Sequence, residues 1–422
     1  MIPAGWARSV SNSVDALRLV QLESVGNPVA VDPRLTILIY KRGSRYTTMS
    51  MITTFSRRQW IRLSASAAIV LPTSSRAFAQ SSTATRDEVM AKAVGFLKSR
   101  QGEDGGWSTQ REPGITALAV ASMLRTGIVS PNEPTVRKAL AYLEKFLDRE
   151  NGGFPSAAHA NYTTCISLLA FKEANADGRY NDAIAKGQSF LKKMQWDETE
   201  NRPRTDAYFG GAGYGGSNSR PDLSNTSYFI EALRDTGLPA DDPALQKALI
   251  FVSRCQNSKS EFNDQPWAEK VNDGGFIYTA ANGGQSMAGG DADKGFRSYA
   301  GMTYAGLKSM IYAGLTKSDP RVEAALGFIR KNYSVDENPG MGQQGLYYYY
   351  HTFAKALSLL KVDTITDSKG KVHDWRSELI AALASRQKAD GSWTNPADRF
   401  LEGDPNLVTA YALLALSHAR KG

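Results

Sequence analysis

Between residues 87 and 420 the chain alternates two kinds of apolar helical segment, and that alternation limits its fold more than any other feature. One kind recurs as "EVMAKAVGFLKSRQ", "PTVRKALAYLEKFL", "DAIAKGQSFLKKMQ", "PALQKALIFVSRCQ", "PRVEAALGFIRKNY" and "DWRSELIAALASRQ". Large apolar residues fall at helical spacing and the charges fall on one side, which is the pattern of an amphipathic helix with a solvated face. Pro134, Pro243 and Pro320 stand where a first helical turn needs no N–H. The second kind reads "GITALAVASMLRTG", "NYTTCISLLAFKEA", "SNTSYFIEALRDTG", "SYAGMTYAGLKSMIYAG", "YYYYHTFAKALSLL" and "LVTAYALLALSHA". These are apolar almost all round, so they are buried on most sides. Six amphipathic helices alternating with six buried ones predict an all-α (α/α)6 toroid, the buried helices forming the inner ring. A solenoid of helix pairs is the alternative, but its inner helices would be less uniformly apolar.

A short turn joins each outer helix to the following inner one. "QGEDGGW" (Gln101–Trp107), "RENGGF" (Arg149–Phe154), "VNDGGF" (Val271–Phe276) and "QKADGSW" (Gln387–Trp393) are the clearest. Glycine permits positive φ, Asp or Asn bonds its own backbone, and the aromatic packs back onto the helix ends. These turns are expected at the end of the toroid where the inner helices begin. Two connections on that rim, Trp196–Leu223 and Asn257–Phe296, are much longer and glycine-rich, as a lid or binding edge requires.

The formal charge of +8 is concentrated upstream: residues 1–79 hold ten Lys/Arg against three Asp/Glu, so the rest is nearly neutral. No polyanion partner is implied, and nucleic acid is excluded as an expected ligand. "SRRQWIRLSASAAIVLPTSSRAFAQ" has the layout of a twin-arginine export signal, with Arg57 and Arg58, an apolar stretch from Leu63 to Pro72, and a small-x-small site at Ala77-Phe78-Ala79 before Gln80. That stretch is too short for a stable membrane anchor. Residues 1–50 are read as a mis-assigned upstream start, with Met49 or Met51 the expected initiator. Residues 51–79 then form the signal and 80–422 a single toroid domain, exported to the periplasm and not membrane-associated once mature. Cys165 and Cys255 each fall inside apolar helical pattern and are expected as buried thiols.

"QGEDGGW" and "QKADGSW" resemble the QW repeats of squalene–hopene and oxidosqualene cyclases. The six-pair arrangement resembles the terpenoid cyclase and protein prenyltransferase superfamily over residues 85–422. Triterpene cyclases of that superfamily place an Asp-x-Asp-Asp-Thr-Ala acid motif at the start of a buried helix. Here "DLSNTS" is similar: Asp222 and Thr226 match, while Ser224 and Asn225 stand where the family has carboxylates. The resemblance makes Asp222 the candidate catalytic acid. The residues themselves favour an ionised helix N-cap over a proton donor, because Ser224 and Asn225 supply no second carboxylate and neighbouring N–H donors would strengthen its acidity. Protein prenyltransferases carry a catalytic zinc, and "YYHTFAKAL" resembles the histidine part of that site at His351. Arg297 and Tyr299 occupy the places of the other ligands, so no metal and no cofactor is expected.

The resemblance implies a central cavity for an isoprenoid-type ligand, lined by Tyr299, Tyr304, Tyr348 and Phe353, with Thr226, His351 and Arg297 completing the binding set. Aromatic faces suit an isoprenoid chain or a cationic intermediate, and they also suit sugars. Two other readings stay open. A carbohydrate-active enzyme would use rim residues such as Asp206, Asp222, Asp291, Asp293 and Arg220, and needs two carboxylates at a set separation. A non-catalytic periplasmic scaffold would have a toroid centre filled by side chains.

Overall fold

The computed structural model describes residues 85–109, 113–155, 158–215 and 219–420. The expected upstream start, export signal and cleavage site lie outside the described residues. The amphipathic segments form α1 (Arg86–Arg100), α3 (Pro134–Glu144), α5 (Asn181–Lys193), α7 (Pro243–Arg254), α9 (Pro320–Lys331) and α11 (Trp375–Arg386). The apolar ones form α2 (Pro113–Arg125), α4 (Ala160–Glu173), α6 (Leu223–Asp235), α8 (Ala300–Tyr312), α10 (Leu346–Leu359) and α12 (Pro405–His418). Short polar residues start many of them. Thr85 makes a capping box with Glu88, and Asp242, Asp319 and Asp404 each accept a backbone N–H just ahead of a proline at the first helical position.

The inner helices close a ring. Each packs against its two inner neighbours, and α12 returns to α2. The outer helices lie against this ring. α3 buries Val136, Ala139, Leu140 and Leu143 and leaves its other side to solvent, whereas α2 is buried from Pro113 to Leu124. Closure, more than apolarity, distinguishes this toroid from an open solenoid.

One turn design is repeated around the rim. Gln101, Gln195, Gln256 and Gln387 each donate from Nε2 to a carbonyl in their own turn and to a carbonyl in the next outer helix. The Gln387 bond, 2.9 Å to Val89 O, joins α11 to α1 and seals the outer ring. Inside each of five turns, a backbone N–H donates to a threonine of the following inner helix: Thr116, Thr164, Thr226, Thr303 or Thr409. Glycine is required where the turn meets the next outer helix: at Gly210 (φ +82°) a Cβ would lie 1.8 Å from Lys247 O.

Two hairpins that the helical reading omits sit in the connections: Gly290–Asp291 pairs with Gly295–Phe296, and Ile365–Thr366 with Val372–His373. Cys165 and Cys255 are free and buried.

Candidate functional site

The side chains that meet on the toroid axis come from regular stripes. On α6, Ser224, Tyr228, Glu231 and Asp235 follow the i, i+4, i+7, i+11 spacing of one helix face; on α10, Tyr348, His351 and Lys355 do the same at i, i+3, i+7. At 1.5 Å per residue the α6 stripe descends about 16 Å from the rim. Contacts join inner helices that are not neighbours in the ring, so they cross its centre. Ser224 Oγ donates to the Tyr348 hydroxyl at 3.0 Å (α6 to α10), and the Tyr162 and Tyr411 hydroxyls are 3.0 Å apart (α4 to α12). The Tyr228 ring lies 6.3 Å from Tyr348 and 6.2 Å from His351. Tyrosine rings from four inner helices therefore converge. Tyr162, Ser224 and Tyr348 are half-buried at the rim, and Tyr228, His351 and Tyr411 are buried beneath them.

Asp222 lies at the edge of this tier, 2% exposed, as the N-cap of α6. Its Oδ1 accepts the Asn225 N–H at 2.9 Å and its Oδ2 the Asn225 side-chain amide at 2.8 Å. The Tyr278 hydroxyl also hydrogen-bonds it, and the Arg220 charge acts on it. Arg220 itself donates to Gln285 at 2.7 Å. The expected capping role is present, but the expected strengthening of acidity is reversed. Burial outweighs the Asn225, Tyr278 and Arg220 contributions and raises the carboxyl from its ordinary value to about 6. None of the groups that act on it most strongly is a second carboxylate.

A helix start that needs its cap filled explains Glu402, which the sequence reading missed. α10 begins after Gly345, which has no capping side chain. Glu402, fully buried in the loop before α12, accepts the Tyr347 and Tyr348 N–H groups at 2.9 Å each and is held by Asn395 at 2.6 Å. It thereby fixes the turn that carries Tyr348.

The other proposed ligand contacts separate. Tyr299, the N-cap residue of α8, is buried near the rim; burial raises its hydroxyl first, and the Tyr348 and Asp222 charges add to that. Thr226 is one of the turn threonines, accepting from Ala212 N at 3.0 Å and donating to Asp222 O at 2.7 Å, so its hydroxyl is engaged by backbone. Arg297 is exposed at the end of the hairpin in the long connection. Tyr304 and Phe353 do not face the axis, contrary to the expected lining. Their rings lie 5.0 Å apart, and Phe353 packs 5.8 Å from Trp375 of the outer ring. The reason is helical phase: Tyr349 and Phe353 stand about 100–140° around α10 from Tyr348. His351 is flanked by Tyr228, Tyr411 and His418, and burial lowers it to about 3, so it is neutral. No group of three His, Cys, Asp or Glu placed to hold a metal occurs among the described residues.

The deepest tier is ionic. Glu231, 0% exposed, meets Lys308 Nζ at 2.6 Å, Lys355 Nζ at 3.4 Å and Arg125 Nη1 at 3.5 Å. Asp235 meets Arg125 at 2.9 Å and Lys355 at 3.0 Å and accepts the Tyr312 hydroxyl at 2.5 Å. Burial pushes the Glu231 carboxyl up, but Lys308, Lys355 and Arg125 together hold it well below the usual range. The pairs from Arg125 on α2 and Lys355 on α10 to Glu231 and Asp235 on α6 join helices that are not neighbours in the ring, so they cross the axis at this level.

Asp222 yields a signed prediction. Its folded-state value is raised, so the protonated form stabilises the fold below about pH 4, and that contribution is lost as pH rises through about 6. Asn keeps the cap, and Asn225 Oδ1, unpartnered and buried, can turn to accept the new amide. Asp222→Asn is expected to raise stability by about 1–3 kcal/mol at pH 7.5 and by little at pH 4. Urea unfolding at the two values measures this, and destabilisation at pH 7.5 would refute it.

No family model matches the chain. No curated protein matches it either. Among solved structures it is similar to the type II terpene cyclase MstE from Scytonema bound to merosterolic acid A, at 14% identity and a TM-score of 0.49, over 79% of this chain and 96% of that one. It is similar to a family 76 glycoside hydrolase from a bovine Bacteroides thetaiotaomicron strain at 12% identity and a TM-score of 0.49, over 79% and 78%. It is also similar to a family 88 glycosyl hydrolase from Bacteroides vulgatus at 9% identity and a TM-score of 0.47, over 79% and 98%. These proteins carry different chemistries at similar scores, so the chemistry of this site rests on its own residues.

Proposed function

We propose that the chain binds an isoprenoid-type ligand at the tyrosine-lined rim of the axis and that Asp222 exchanges a proton with it. The observation that carries this is the convergence of Tyr162, Tyr228, Tyr348 and Tyr411 beside one desolvated carboxyl. Aromatic faces attract apolar chains and stabilise positive charge that develops on them. Asp222, raised to about 6, keeps a protonated fraction near neutral pH. When its proton passes to an alkene carbon, a C–H bond forms and the neighbouring carbon becomes cationic. The carboxylate left behind is stabilised by the Asn225 and Tyr278 donors. The carbohydrate reading needs a second carboxylate, and none is among the groups that act most strongly on Asp222; the hydroxyl pairs at the rim are what favours it.

Geranylgeraniol titrated into the protein is expected to quench its aromatic fluorescence saturably. Tyr348→Ala is expected to weaken binding at least tenfold, and Tyr304→Phe, which alters the outward cluster, to leave it unchanged. Equal effects of the two substitutions would remove the rim from the reading. We also propose that the protein acts in the periplasm after cleavage before Gln80; N-terminal sequencing of the exported form tests this, and an intact leader there would contradict it.

A further inference from the structure

The inner helices end, at the pole opposite the tyrosine rim, in a shallow depression of about 320 Å³ lined by Arg125, Lys172, Glu173, Asp235, Lys355 and His418, among others. We propose that this depression is a second binding site, for a small phosphate-class oxyanion. Four cations and three carboxylates meet at this pole: Arg125, Lys172, Lys308 and Lys355 against Glu173, Glu231 and Asp235. All three carboxylates are engaged by cations. Some donors are not engaged. Arg125 has five N–H groups and makes three ion pairs, to Glu173, Glu231 and Asp235. Lys355 has three donors for Glu231 and Asp235. Lys172 is exposed and makes no ion pair among the described residues.

His418 supplies an independent observation. Its Nε2 is buried and has no hydrogen-bond partner among the described residues, although the residue lines the depression. A buried ring nitrogen is rarely left unsatisfied, so a polar group is expected against it. Burial first, then the Lys355 and Arg125 charges, hold the imidazole neutral. A neutral ring with one N–H can donate to an oxyanion while the guanidinium and ammonium groups supply charge. The helix C-termini oppose an anion here, and the lining residues lie in their last turns, so the free donors of Arg125, Lys172 and Lys355 must outweigh that partial negative charge. Glu173 and Asp235 also border the site and restrict it to a small, compact anion that can sit on the cationic side.

The test is thermal unfolding of the full chain in sodium phosphate at pH 7.5, with sodium chloride holding ionic strength constant. Phosphate is expected to raise the midpoint saturably by about 3 °C or more. Lys172→Ala is expected to weaken half-saturation at least tenfold, while Lys193→Ala on α5 leaves it unchanged. Lys172 is exposed, so its removal does not threaten the fold, and His418→Phe provides a second variant with the same expected loss. A rise no larger than chloride gives, or one untouched by Lys172→Ala, overturns the site. An equal rise with succinate overturns the phosphate class. None of these outcomes depends on the ligand at the tyrosine rim.

Discussion

Glu231→Ala is expected to cost about 3–5 kcal/mol. Glu231 is fully buried and faces Lys308, Lys355 and Arg125. Removing it strands a buried ammonium, because the Lys308 side chain is 1% exposed and Glu231 is the carboxylate it pairs with. A native domain has a margin of about 5–15 kcal/mol, so this one change takes a large share. The ion cluster is not thereby a net source of stability, since desolvation offsets most of its attraction. Glu231→Leu combined with Lys308→Met is therefore expected to recover much of the single-mutant loss. Urea unfolding of the single and double variants measures both. A cost below about 1 kcal/mol for Glu231→Ala would mean that water reaches this tier.

Trp393→Ala is expected to cost a further class of stability, about 3–5 kcal/mol. Its ring is 0% exposed between the last turn and α11, and its Nε1 donates to Leu383 O at 2.9 Å. Truncation leaves a cavity and an orphaned carbonyl at the point where Gln387 ties α11 to α1. The effect should thus appear as loss of ring closure, with early hydrogen exchange in α1 and α11. Trp196, half-buried on the long rim connection, is the comparison, and its replacement by Ala is expected to cost less than half as much. Equal costs would place Trp393 outside the closure.

The helices and their two layers were legible because apolar periodicity reports burial directly. The turns were legible in part: Gly, Asp and the aromatic residues could be read, but the glutamine bonds to the next outer helix and the threonine acceptors are non-local. Helical phase was the chief failure at the site. The run Tyr347–Tyr350 carries no sign of which ring faces inward, and the structure turns Tyr304 and Phe353 toward the outer ring. The ion cluster left a signal that went unread. Arg125, Glu173, Glu231, Asp235, Lys308 and Lys355 are charged residues inside otherwise apolar helices, and buried charges need partners. The Asp222 cap is legible in the sequence, but its raised pKa, and so its weakened acidity, follows from a depth of burial that one sequence does not reveal. Glu402 reaches α10 from 55 residues away, and no local pattern announces it.

Native mass spectrometry of the protein, purified from its own cells and then offered geranylgeraniol beside an equimolar oligosaccharide mixture, tests the central claim most directly. The rim reading expects a single adduct of isoprenoid mass that persists through competition and is lost in Tyr348→Ala. Retention of an oligosaccharide adduct instead, or an isoprenoid adduct that Tyr348→Ala leaves intact, would contradict it.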